Sequence, residues 1–218
     1  MKLLLTSGGI TNKSIADALF SLTEKKPEET TVVFIPTASN VEVGDKDWLI
    51  DDLINLKKLN FKSIEITDIS AIDEKIWRPS VEGADVLFFE GGNTYHLMEW
   101  INKSGLVKLL PELLKDKVYV GVSAGSMVTN KDLALKISQL VYGEDLDKDY
   151  DMAGLNYVDF YFLPHLNSEY FVNLRENFIR DVTKDMREKL YALDDESALK
   201  IIGDKVEVIS EGRWFEIN

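Results

Sequence analysis

Short apolar runs alternate along the chain with longer stretches in which apolar residues return every three or four positions. The runs at 2–6, 31–36, 62–67, 85–89 and 118–122 are rich in β-branched and aromatic residues and predict strands. Val32-Val33-Phe34-Ile35 and Val86-Leu87-Phe88-Phe89 are apolar without interruption, as in strands covered on both faces. Helical spacing fills the intervals at 13–25, 47–59, 94–103 and 106–115. In the second of these, Leu49, Leu53, Leu56 and Leu59 form one stripe, the face that a helix turns to a core. Such alternation predicts a three-layer α/β sandwich, a mainly parallel sheet with helices on both sides.

The second half is less regular. Residues 143–151 are an acidic stretch, Gly143-Glu144-Asp145-Leu146-Asp147-Lys148-Asp149-Tyr150-Asp151, read as a solvated surface excursion because its acid spacing does not follow a hand-type calcium loop. A strand at 159–163 and a helix at 170–189 follow. The end predicts antiparallel strands at 190–193, 198–202, 205–210 and 213–217, with turns at Gly203-Asp204 and Glu211-Gly212. No linker, repeat or low-complexity tract interrupts the pattern, so residues 1–218 read as one α/β domain.

Composition narrows the chemistry. The chain has no cysteine and two histidines, which excludes disulfides and thiolate nucleophiles and makes a poor zinc set. No metal and no cofactor is expected. A net charge of −13 argues against a nucleic-acid partner and means that an anionic ligand needs a local cation. The apolar run Leu3-Leu4-Leu5 is too short for a signal-peptide core or a membrane span. A cytoplasmic location without a membrane partner is expected, where the sequons at Asn12 and Asn102 have no meaning.

The strongest chemical signal is Gly121-Val122-Ser123-Ala124-Gly125 directly after a predicted buried strand. Small residues around a serine permit a tight strand-to-helix turn that lifts its hydroxyl out of the backbone. The Ala124 amide then faces the oxygen that becomes negative in acyl transfer. A plain small-residue turn is the alternative; the place at the end of a central strand favours the nucleophile. A second glycine loop, Glu90-Gly91-Gly92-Asn93-Thr94, follows the preceding strand. Loops at the carboxyl ends of neighbouring parallel strands share one crevice, so Gly92 can supply a second oxyanion amide. Asn93 or Thr94 can cap the next helix, and Asn93 is also a substrate-binding candidate. The Ser7-Gly8-Gly9 loop lacks the spacing of a dinucleotide fingerprint and receives no chemical role.

A serine nucleophile needs a base, and the choice is His96 or His165. His96 falls in the first turns of a predicted helix, whereas His165, in Leu163-Pro164-His165-Leu166, follows a strand; loop placement favours His165. The acid that orients the imidazole has three candidates in Asp194-Asp195-Glu196.

Together these segments resemble the dipeptidase E (aspartyl dipeptidase) family of serine peptidases, whose relatives include cyanophycinase. Phe34-Ile35-Pro36-Thr37-Ala38, Gly91-Gly92-Asn93-Thr94, the Ser123 pentapeptide, Pro164-His165 and Leu193-Asp194-Asp195-Glu196 occur in the family's order over nearly the whole chain. The resemblance implies a fold related to class I glutamine amidotransferases, with serine in place of cysteine. It implies Ser123 as nucleophile, His165 as base, and Gly92 and Ala124 as oxyanion donors. Its third member is usually a glutamate; the register that keeps Ser197-Ala198-Leu199 aligned implies Asp195 instead, shorter by a methylene. Arg175 resembles the arginine that holds a substrate aspartate. The function implied is hydrolysis of small peptides, Asp-X dipeptides among them, by a monomer or homodimer. The alternatives are a hydrolase of another amide or ester, such as a β-aspartyl linkage, and a silent binding protein of the same fold.

Overall fold

The computed structural model of the chain describes residues 1–131, 133, 142 and 153–218; the acidic stretch at 143–151 lies outside the described residues. The parallel strands are β1 (Lys2–Thr6), β2 (Thr31–Ile35), β3 (Ser63–Ile66), β4 (Val86–Phe89) and β5 (Val118–Val122). With β8 (Ser197–Ile202) and β9 (Lys205–Ser210), they form a seven-stranded sheet in the order β3-β2-β4-β5-β1-β8-β9. β8 runs antiparallel to β1, and β9 antiparallel to β8. A second sheet of three strands is ordered β10-β7-β6, from β6 (Phe160–Leu163), β7 (Lys189–Leu193) and β10 (Trp214–Ile217). The C-terminal strands therefore divide between two sheets. β6 lies parallel to β7, and β10 antiparallel to it.

Alternate residues of the uninterrupted apolar strands feed two separate cores. On one face Leu4, Val32, Phe34, Val86, Phe88 and Val120 pack with Ile15, Leu19 and Leu22 of α1 (Lys13–Thr23) and Leu56 of α2 (Asp47–Lys58). On the other, Leu3, Leu5, Val33, Ile35, Leu87 and Phe89 meet α3 (Glu74–Gly83), α4 (Thr94–Lys103) and α5 (Leu106–Leu113). Each fully buried Leu, Ile or Phe contributes about 1.5–3 kcal/mol relative to exposure. Of the predicted leucine stripe, Leu56 is buried, and Leu49, Leu53 and Leu59 pack half-buried beside it. Among the described residues no helix is long and apolar enough to cross a membrane.

Two helices depart from the sequence reading. α3 was not expected: it buries only Trp77 and Val81 and carries Pro79 in its interior, too short a stripe for a periodicity signal. The single helix expected at 170–189 is reduced to α7 (Glu176–Val182). Before it the chain turns back on itself, with Arg175 Nη1 donating to the carbonyls of Ser168, Phe171 and Leu174. Phe171 O and Leu174 O also accept from Leu174 N and Asn167 N, bonds of a turn and a loop rather than of a helical ladder. After it, Lys189 already belongs to β7.

Parallel pairing brings three loops to one end of the sheet. Thr6 pairs with Val122 across β1–β5, and Phe89 pairs with Gly121 across β4–β5. The strands therefore end nearly level, and the residues after them share the crevice expected at the carboxyl ends of such strands.

Candidate active site

β5 passes into the short helix α6 (Ala124–Met127) through Ser123, whose φ of 46° and ψ of −106° mark a sharp turn. That conformation is rare for a residue with a side chain, and such strain of order 1–3 kcal/mol must be held by its surroundings. Ser123 N donates to Thr6 O at 3.0 Å, and Ser126 Oγ donates to Thr6 O and Gly121 O at 2.9 Å each. The turn also demands glycines. A Cβ on Gly125 would strike the Phe89 carbonyl, and one on Gly121 would strike the backbone of Gly125.

The β4 loop lies against this turn: a Cβ on Gly91 would stand 3.4 Å from Ser123 Cβ. Gly91 N is already committed to Glu90 Oε1 at 2.9 Å, and Gly92 follows with φ 124°. Asn93 Oδ1 accepts from His96 N at 2.9 Å, so Asn93 caps α4. Ala124 opens α6, where an N–H has no partner within its own helix.

His165 comes from the other sheet, immediately after β6. Its Nε2 lies 2.9 Å from Ser123 Oγ, and its Nδ1 lies 2.7 Å from Asp195 Oδ1. An ionised carboxylate can only accept, so Nδ1 carries the hydrogen and Nε2 is left to accept from the serine hydroxyl. Burial alone would raise the Asp195 carboxyl; the hydrogen bond and charge of His165 and the Ser7 hydroxyl outweigh it and hold it below the usual carboxylate range. The His165 ring stacks on Phe171, with centroids 5.2 Å apart.

Of the three acids, the structure brings only Asp195 to the imidazole. Asp194 ties its own turn, accepting from Ser197 Oγ at 2.6 Å and from the Arg213 amide. Glu196 faces outward and accepts from Asn12 Nδ2 at 3.0 Å. The shorter aspartate closes its distance to His165 without the extra methylene. His96 stays on α4 against Trp100, its Nε2 buried without a hydrogen-bond partner among the described residues. Arg175 is tied through Nη1 to the loop that follows His165.

One loop set aside on sequence grounds belongs to the site. Ser7 Oγ donates to Asp195 Oδ1 at 2.8 Å and accepts from His165 N at 2.7 Å, joining the two. The available signal was positional: Ser7-Gly8-Gly9 ends β1, the neighbour of β5, as the other two glycine loops end β4 and β5. Phe171, in a segment expected to be helical, was also missed.

The arrangement couples a hydroxyl at a strained turn to an imidazole and an ionised carboxylate, with backbone amides nearby. The sequence profile of peptidase family S51 matches residues 3–209, a span that includes Ser7, Gly92, Ser123, Ala124, His165 and Asp195. The chain belongs to peptidase family S51. Its membership makes it a serine-type peptidase. It is 29% identical over 196 residues to the uncharacterized peptidase Lin0382 of Listeria innocua, covering 86% of this chain and 88% of that protein. It is 30% identical over 138 residues to peptidase E of Shewanella oneidensis, covering 62% of this chain and 53% of that one. In three dimensions it is similar to the crystal structure of a candidate peptidase E protein from Listeria monocytogenes, with a TM-score of 0.78 at 27% identity over 97% of this chain and 98% of the other.

Proposed function

We propose that this S51 peptidase hydrolyses small peptides, dipeptides with N-terminal aspartate among them, through an acyl-enzyme on Ser123. The observation that carries the reading is the unbroken line from Ser123 Oγ to His165 Nε2 at 2.9 Å and from Nδ1 to Asp195 Oδ1 at 2.7 Å. As Oγ attacks the peptide carbonyl, Nε2 takes its proton; the ionised Asp195 stabilises the imidazolium and keeps the ring in register. The carbonyl oxygen becomes an oxyanion held by the amides of Gly92 and Ala124. His165 returns the proton to the leaving amine, and a water deprotonated by the same nitrogen then releases the acyl group.

Substrate recognition is assigned to Asn93 and Arg175. A guanidinium grips a carboxylate through two parallel hydrogen bonds. With Nη1 on the loop carbonyls, the donors on Nε and Nη2 are those a substrate aspartate would use. The proposed setting is cytoplasmic, and the proposed partner is a small peptide. A fluorophosphonate probe tests the core of the reading: the native chain should be labelled and Ser123→Ala should not. Equal labelling of both would remove Ser123 as nucleophile. Turnover of a dipeptide library then reads the specificity.

A further inference from the structure

Two deeply buried acids among the described residues lie beneath this site and take no part in the chemistry just described. Glu90, between the last residue of β4 and Gly91, is fully buried, and Asp52, on the face of α2 that packs Leu56, is 7% exposed. Their carboxyl groups meet side chain to side chain. Glu90 Oε1 accepts from Gly91 N at 2.9 Å, while Oε2 is buried with no donor among the described residues. Ionised carboxylates only accept hydrogen bonds. Two in contact, away from water and with no donor between them, can be joined only by a proton.

Contacts on either side place this pair between the two halves of the site. Asp52 Oδ1 lies so close to Gly9, at φ 82°, that a Cβ there would overlap it; the side chain of Asp195 crowds Gly8 in the same way. The Gly8-Gly9 turn is thus clasped between Asp195, which holds His165, and Asp52, which meets Glu90. Glu90 in turn fixes the Gly91 amide beside Ser123. Trp48, one turn before Asp52 on α2, also approaches Gly91.

We propose that Asp52 and Glu90 share one proton and act as a positioning pair for the hydrolytic site, holding the Gly91 amide on Glu90 so that the next amide, Gly92, faces the Ser123 oxyanion. The role rests on the proposed function, because it needs Ser123 as nucleophile and Gly92 as an oxyanion donor. Burial pushes the Asp52 carboxyl up to about 7 and Glu90 well above its ordinary value. Among the described residues the other charged groups acting on the pair are also acids, Asp51 on α2 and Asp195 on the β7–β8 turn. His165 lies beyond Asp195, and the Ser7-Gly8-Gly9 turn contributes no titratable group. Loss of the shared proton leaves two negative charges in contact at low dielectric, which drives Glu90 away from Asp52 and loosens the loop it anchors. Activity should therefore fall on the alkaline side.

The test compares the full chain with Glu90→Gln, Glu90→Ala and Asp52→Asn. Infrared spectroscopy reads the protonated carboxyl without any need for activity, and fluorophosphonate labelling reads Ser123 across pH. At about pH 6, above the ordinary carboxylate range, the native chain should show a protonated-carboxyl band that Glu90→Gln removes. Its labelling rate should fall at least threefold from neutral to alkaline pH. Glu90→Gln, whose amide donates to Asp52 without a titrating proton, should lose that alkaline fall and restore most of the roughly tenfold or greater loss expected in Glu90→Ala. Asp52→Asn should flatten the alkaline limb likewise if Glu90→Gln fails to fold. Absence of the band in the native chain, or an alkaline limb that persists in the amide variants, overturns the proposal. A native chain not labelled at Ser123 removes the hydrolase reading and the positioning role with it, while the band still decides whether the proton is shared.

Discussion

The proposed nucleophile and its proposed base are held by two differently built parts of the molecule. Ser123 stands at the end of a buried central strand, and what holds it is mostly steric: glycines with no room for a Cβ and backbone carbonyls of β1 and β5. His165 sits outside that sheet at φ 65°, with Asn167 at φ 65° two residues on. Left-handed backbone at non-glycine residues costs roughly 1–2 kcal/mol each, and here directed hydrogen bonds offset it. Ser7 Oγ accepts from His165 N, Leu193 O accepts from Leu166 N, and Leu174 O accepts from Asn167 N. One half is fixed by close glycine contacts and backbone hydrogen bonds within the central sheet, the other by polar contacts among loops outside it. Damage to the first should act as all or nothing, and damage to the second should be graded.

The largest expected effect tests the two halves as one unit. Ser123→Ala and His165→Ala should each lower kcat by about a thousandfold or more, because nucleophile and base act together. Ser123→Ala should melt near wild type, whereas His165→Ala also loses the stacking on Phe171 and the bond to Asp195 and should melt lower. A His165→Ala enzyme within tenfold of wild type, with His96→Ala as the damaging change, would move the base to α4. Asp195→Asn comes next, with a loss on the order of a thousand- to ten-thousandfold in kcat from the wrong imidazole tautomer. Its stability carries a sign as well. The folded carboxyl is held below its ordinary value, so its contribution is complete above the unfolded value near about 4 and is lost as pH falls through the lower, folded one. The Asp195→Asn protein should therefore lose less stability than wild type on acidification below about pH 4. Acid melts of equal steepness would show that the Asp195–His165 contact does not persist in solution.

The same contrast explains what could be read from the sequence. The parallel strands and the elbow were legible because each is one contiguous segment with its own pattern: apolar runs, then Gly-x-Ser-x-Gly. The convergence of the β4 and β5 loops followed from strand order alone. Asp195 could be singled out among three neighbouring acids only by family register, since the distinguishing contacts are long-range: Arg213 and Ser197 for Asp194, Asn12 for Glu196. Ser7 was missed because its partners lie 158 and 188 residues away. The helix expected at 170–189 is absent before Glu176, where Phe171 O and Leu174 O take Arg175 Nη1 together with the N–H groups of Leu174 and Asn167 in place of a helical ladder.

Arg175 sharpens the comparison, because it bridges loop architecture and proposed specificity. Arg175→Met removes the Nη1 donor that ties three carbonyls together, so every dipeptide should lose activity by roughly tenfold as the loop behind His165 loosens. The Asp-Leu substrate should lose a further factor of about thirty or more relative to Asn-Leu and Leu-Leu, the worth of a charge-assisted contact. Arg175→Lys should keep charge but not the forked geometry, and should fall between the two. Values of kcat/KM on the three substrates separate the roles. A uniform loss leaves Arg175 as a loop anchor and withdraws the aspartate preference.

The smallest expected effect falls on Ser7, where the two halves touch. Its hydroxyl is buried and makes two contacts at once, donating to Asp195 Oδ1 and accepting from His165 N. Ser7→Ala leaves a buried backbone N–H without an acceptor and removes one of the donors that hold Asp195 ionised. Each loss is worth about 1–2 kcal/mol, but the His165–Asp195 bond remains and the chain can relax around a missing oxygen. The effect on kcat/KM should thus be about five- to thirtyfold, well short of Asp195→Asn. Because the hydroxyl acts through both partners, the deficits of Ser7→Ala and Asp195→Asn should not add: the double variant should be little worse than Asp195→Asn alone. A lower melting temperature with unchanged kcat/KM would make Ser7 a packing residue of the β1 loop. Full additivity in the double variant would mean that Ser7 and Asp195 act on catalysis independently, and that the two halves meet only at the Ser123–His165 contact.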